Sequence, residues 1–84
     1  MSTVVMERLY DDSRSAEQID TMNAAIAPCL DVNGITHLQT LVSADRKRFI
    51  CIFEAPDAET VRRAIDSSGV AYERIWPADV FKSS

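Results

Sequence analysis

The chain has 84 residues, 46% of them hydrophobic, and carries thirteen acidic side chains against nine basic ones for a net charge of -4. That length allows one small domain, expected over 1–84 with a core of about 3–77 and a C-terminal extension of 78–84, and the apolar share excludes a disordered chain. The acidic balance disfavours nucleic-acid binding, and no apolar run approaches the ~18–20 residues that span a bilayer.

A domain this short buries only about 60–65% of the surface its unfolded chain exposes. Pairing with a second copy is therefore an expected source of further burial. Cys29 and Cys51 have neither CxxC spacing nor a histidine at zinc-finger distance, so no disulfide framework or structural zinc pattern is expected. The opening Met-Ser-Thr-Val-Val-Met-Glu lacks the basic-then-apolar order of a signal peptide, and a cytoplasmic location is expected.

Thr3 to Tyr10 is rich in β-formers and ends in Asp11-Asp12-Ser13-Arg14, which predicts a first strand. Ser15-Ala16-Glu17-Gln18 is a capping box opening a helix whose apolar side is Ile19, Met22, Ile26, Cys29 and Leu30. Pro28 removes a donor to the Ala24 carbonyl, which predicts a kink or restart near Ala27. Asn33-Gly34 supplies a left-handed stop. Ile35 to Ser43 and Arg48 to Glu54 read as two strands joined by a short polar hairpin at 44–47, whose Arg46, Lys47 and Arg48 are solvated charges at its tip.

Ala55-Pro56 leads straight into Asp57, the expected cap of a second helix with Glu59 in its first turn and a Glu59–Arg63 pair on its outer face. Val61, Ala64, Ile65 and Ser68 form its inner stripe and Gly69 ends it. Tyr72 to Trp76 is the fourth strand, closed by Pro77. The order β-α-β-β-α-β is that of the ferredoxin-like α+β fold, a four-stranded antiparallel sheet with two helices on one face.

Helices cover only one face, and period-two alternation assigns the rest. With Ile50 and Ile52 set toward the helices, Phe49, Cys51 and Phe53 fall on the open face. There they are joined by Val5, Glu7 and Leu9, by Ile35, His37, Gln39 and Leu41, and by Tyr72, Arg74 and Trp76, while Leu38 and Val42 point inward. Such an apolar face predicts a two-fold dimer packed sheet to sheet. Gln39, Phe49, Phe53, Tyr72, Arg74 and Trp76 would line its seam or a ligand cleft.

Glu7, His37 and Cys51 lie on three neighbouring strands in that scheme. Carboxylate, imidazole and thiolate together suit a borderline divalent metal such as nickel or zinc, and Cys51 beside His37 also suits nucleophilic chemistry. Plainer roles stand beside these: Cys51 as a small buried hydrophobe, His37 as a polar group satisfied at the dimer seam, and Glu7 as the partner of Arg74. Glycine-rich phosphate loops, paired-histidine helices and Ser/His/Asp patterns are missing from the sequence.

Val5-Met6-Glu7-Arg8, Gly34-Ile35 and Cys51-Ile52-Phe53-Glu54-Ala55-Pro56-Asp57-Ala58-Glu59, continued by Val61-Arg62, Gly69-Val70 and Arg74-Ile75-Trp76, resemble a family of small bacterial ferredoxin-like proteins. The family was first catalogued as a domain of unknown function, and one member is described as nickel-binding and nickel-responsive. The resemblance implies a dimeric ferredoxin-like protein with a metal-binding role, with Glu7, His37 and Cys51 as the donors carried over. Many members have a histidine early in the second helix, where this chain has Ala64. Two other readings stay open: a small enzyme of the dimeric α+β barrel kind, and a purely structural or interaction module.

Overall fold

The computed structural model describes residues 1–83; Ser84, the last residue of the expected extension, lies outside them. In chain order the elements are β1 (Ser2–Leu9), α1 (Ala16–Val32), β2 (Thr36–Val42), β3 (Arg48–Ala55), α2 (Ala58–Ser68) and β4 (Arg74–Ala78). The strands form one sheet in the order β2-β3-β1-β4, with β1 antiparallel to β3 and β4 and β2 antiparallel to β3. This is the ferredoxin-like arrangement that the element order predicts.

Local chemistry sets the boundaries. Ser15 Oγ accepts from the Gln18 amide at 3.1 Å and Gln18 Oε1 accepts from the Ser15 amide at 2.8 Å, which completes the capping box at the start of α1. Asp57 Oδ1 accepts from both the amide and the hydroxyl of Thr60 at 2.7 Å and caps α2. Gly69 closes α2 at φ +76°, a left-handed angle that suits glycine. Glu59 pairs with Arg62 at 3.4 Å, one position earlier than the expected Arg63.

The helix restart expected at Pro28 does not occur, because α1 runs through it as one element. Ala24 and Pro28 are both exposed, so the carbonyl that loses its donor faces water and the cost stays local. Pro77 lies inside β4 rather than ending it. β4 is an edge strand, where a missing amide leaves no ladder bond unmade on its outer side.

The core lies between sheet and helices and is built from Val4, Met6, Cys51, Phe53, Ala55 and Ile75 of the sheet against Ile26, Leu30, Val61, Ala64 and Ile65 of the helices, with Ile35 at the entry to β2. Phe49 is buried beside this cluster, its ring edge-on to Tyr10 at a centroid distance of 5.4 Å. The expected phase of β3 is therefore inverted. Phe49, Cys51 and Phe53 face the helices, and Ile50 and Ile52 face outward. Arg48 and Glu54 share the phase of the two isoleucines, so the outward row ends in charges while the inward row is apolar throughout.

Candidate functional site

Strand pairing places each residue on one side of the sheet. On the open side two rows cross all four strands: Trp76–Val5–Ile52–Gln39, and Arg74–Glu7–Ile50–Leu41. Glu7, Gln39, Arg74 and Trp76 thus lie on the face assigned to them. Glu7 Oε2 accepts from Trp76 Nε1 at 2.8 Å and meets Arg74 Nε at 3.5 Å, which satisfies the carboxylate within the strand pair β1–β4. The partnership of Glu7 with Arg74 is present, and Trp76 holds the carboxylate more closely.

This face carries much of the molecule's exposed hydrophobic surface. Trp76 is 41% exposed, Leu9 54% and Leu41 53%, around the half-buried Ile50 and Ile52. Leu38 joins them instead of pointing inward. The cause is a register irregularity between His37 and Gln39, which breaks the alternation of β2.

The same bulge takes His37 away from its expected face. His37 pairs with Phe53 and Thr40 with Cys51, so His37 and Thr40 share the helix-covered side although three residues apart. Thr40 Oγ1 lies 2.8 Å from His37 Nε2 and 3.6 Å from Cys51 Sγ, and its hydroxyl bridges imidazole and thiol. The His37 ring also packs at 5.0 Å against Phe53. Burial lowers the His37 pKa below its ordinary 6.5, with the Gln39 backbone pulling weakly the other way. Burial raises that of Cys51, against smaller opposing contributions from Thr40 and Arg8. The imidazole is thus held in its neutral, metal-ligating form, whereas the thiol is held protonated.

Three of the expected seam residues belong elsewhere. Phe49 and Phe53 are core. Tyr72 precedes β4, packs against the core and donates its hydroxyl to Asp66 Oδ1 at 3.1 Å. The expected donor set Glu7, His37 and Cys51 is likewise divided. His37 and Cys51 meet through Thr40 on one side of the sheet, and Glu7 lies on the other. Among the described residues no three His, Cys, Asp or Glu side chains gather as a metal-holding group. These residues therefore do not fit a closed nickel centre within one chain, since such an ion takes four or more donors.

Several participants had no reading from sequence as site residues. Thr40 becomes the bridge only because of the bulge. Arg8, Tyr10 and Arg14 assemble at one end of the core, where the guanidinium carbons of Arg8 and Arg14 stand 5.1 and 4.3 Å from the Tyr10 ring centre. The signal for Arg8 was its position in the inward phase of β1 with Val4 and Met6.

Residues 5–77 match the family model described as nickel responsive protein SCO4226-like. The crystal structure of SCO4226 from Streptomyces coelicolor A3(2) superposes with a TM-score of 0.84 over 96% of this chain and 100% of that one, at 15% sequence identity. At that identity the likeness shows the shared fold. No curated protein sequence matches the chain. No helix among the described residues is long and apolar enough to cross a membrane.

Proposed function

We propose, from the premise that the chain belongs to the nickel-responsive SCO4226-like family, that it acts as a homodimeric binding protein whose two copies pack open sheet face to open sheet face. The observation that carries the dimer is the stripe of Leu9, Leu41 and Trp76 beside Ile50 and Ile52 on a face with no helix over it. Broad dimensions of 37 by 33 Å leave room for the roughly 800 Å² per partner of a standard interface. The Glu7–Trp76–Arg74 cluster would sit within the seam and fix the register of the two copies.

The metal part of this reading rests on the family description. His37 is the donor this chain offers first: it is the single histidine, half-buried and kept neutral. Cys51 is a weaker donor because its proton is retained, and Glu7 is engaged by Trp76 and Arg74. A full set of ligands needs donors from outside one chain.

Titration of untagged full-length protein with nickel, followed by native mass spectrometry, tests this part. The expected result is uptake at micromolar nickel that His37→Ala removes and Cys51→Ser largely keeps. Uptake unchanged in His37→Ala, or none in the parent protein, contradicts it.

A further inference from the structure

A bulge in β2 gives the two ring nitrogens of His37 different surroundings. The register against β3 shifts between His37 and Gln39, so His37 and Thr40, three residues apart, meet on the helix-covered side with Thr40 opposite Cys51. Unbroken alternation would have set His37 and Thr40 on opposite faces of the sheet.

Nε2 is the held nitrogen. It lies 2.8 Å from Thr40 Oγ1, and the same hydroxyl reaches Cys51 Sγ at 3.6 Å. The Phe53 ring packs beside the imidazole at a centroid distance of 5.0 Å and limits its rotation. Nδ1 has no hydrogen-bond partner among the described residues. Nor is it a buried orphan, since Arg14 Nε is the single atom of that kind among them. An unpartnered nitrogen of a half-buried ring that is not itself buried is open to solvent.

The hydroxyl decides which nitrogen carries the proton. Thr40 has one hydrogen to donate and two neighbours to receive it. Directed at Cys51 Sγ, that hydrogen leaves Thr40 Oγ1 as the acceptor for Nε2–H. A neutral imidazole protonated at Nε2 has its free lone pair on Nδ1, the nitrogen that faces water. A hydrogen bond at one ring nitrogen also orients the ring and raises the basicity of the other, as in histidines that ligate metals. In the reverse arrangement Thr40 donates to Nε2 and the proton sits on Nδ1, where the Gln39 backbone would favour it. Neither nitrogen then offers a lone pair to a ligand.

We propose that Thr40 is the positioning residue of His37: its hydroxyl accepts from Nε2–H, is itself anchored on Cys51 Sγ, and leaves Nδ1 as the nitrogen that meets a divalent cation. Cys51 serves here as the anchor of the hydroxyl and not as a ligand. The identity of the cation rests on the proposed nickel binding, whereas the set of the ring does not.

The test uses ¹⁵N-labelled, untagged, metal-free full-length protein at about pH 8, where an imidazole is neutral. Long-range ¹H–¹⁵N spectra read both ring nitrogens of the single histidine. Nε2 is expected to carry the proton, with an N–H signal protected from exchange with water, and Nδ1 to be bare. Thr40→Ser, which keeps a hydroxyl, should retain that signal. Thr40→Val should lose it while its backbone amide spectrum stays that of a folded protein. In a nickel titration Thr40→Val should weaken uptake by about tenfold or more, and Thr40→Ser should keep the parent's affinity. A proton found on Nδ1 of the parent, which needs no variant to observe, overturns the proposal. So does an equally protected Nε2–H, or equal nickel affinity, in Thr40→Val. The expected ring signals in a parent that takes up no nickel contradict the nickel binding alone and support the role of Thr40.

Discussion

The two faces of the sheet are made by the same strands, and each presents large apolar side chains, yet only one is covered. On the helix side Val4, Met6, Phe53 and Ile75 meet Ile26, Leu30, Val61 and Ile65 and lose nearly all contact with water. On the other side Ile50 and Ile52 occupy the same strand as Phe49 and Phe53, one residue out of phase, and remain half-buried between Leu41, Leu9 and Trp76. Covered and open faces differ in what lies over them more than in composition. The open face is distinguished by its charged members: Arg48 and Glu54 at the ends of the isoleucine row, and Glu7 and Arg74 in its middle. A face that is apolar with a few satisfied charges is what a partner surface requires, whereas the covered face tolerates only Arg8, at its rim.

Substitutions in adjacent residues of β3 sharpen this contrast most. Phe53→Ala should cost about 3–5 kcal/mol of folding free energy, since it opens a cavity in the packed layer. Ile52→Ala should cost well under half of that in the isolated chain and should weaken association instead. Urea unfolding at two protein concentrations separates the outcomes, because only the second effect depends on concentration. Equal, concentration-independent losses would mean that the two faces are not different in kind.

Glu7→Ala comes next, at about 1–2 kcal/mol. It removes the acceptor of Trp76 Nε1, a charge-assisted bond, while the Arg74 contact at 3.5 Å, with Arg74 itself largely exposed, adds little. The indole fluorescence of Trp76, the single tryptophan, reports the change directly. A loss no larger than a few tenths would show that the carboxylate is held by water.

The smallest effect is on pH dependence. Folding disfavours the protonated His37 ring, so its folded pKa lies below the ordinary 6.5. Above pH 6.5 both states are neutral and the residue contributes no slope. As pH falls below that value the unfolded chain takes up the proton first, and stability declines until the folded pKa is passed. Unfolding midpoints measured between pH 7.5 and 5 should show this decline, and His37→Gln should flatten it. A slope unchanged in the variant would place the titration elsewhere.

The sequence made the architecture legible because its local signals agree: a capping box at Ser15 and a helix cap at Asp57, left-handed stops at Gly34 and Gly69, and β-rich runs between them. It left the faces of β2 and β3 open for two separate reasons. In Phe49-Ile50-Cys51-Ile52-Phe53 both phases are apolar, so alternation has two solutions, and the charged ends Arg48 and Glu54 carried the deciding information. In β2 the bulge after His37 shifts the phase midway, and no residue type in Thr36–Val42 announces it. Both turned the expected Glu7–His37–Cys51 cluster into two half-sites on opposite sides of the sheet. Glu7 with Arg74 was legible because each strand's phase was simple. Arg8 with Arg14 was not, since it depends on how the β1–α1 connection folds over Tyr10.

Sedimentation equilibrium of the untagged chain beside its Leu41→Glu variant tests most directly whether the open face is a seam between copies. Leu41 is 53% exposed in the single chain, so a glutamate there leaves folding nearly untouched but places like charges across the two-fold seam. A seam on the open face gives a parent protein at twice the 9.4 kDa chain mass and a folded variant at the single-chain mass. A monomeric parent at tens of micromolar, or a variant that remains fully dimeric, would contradict it.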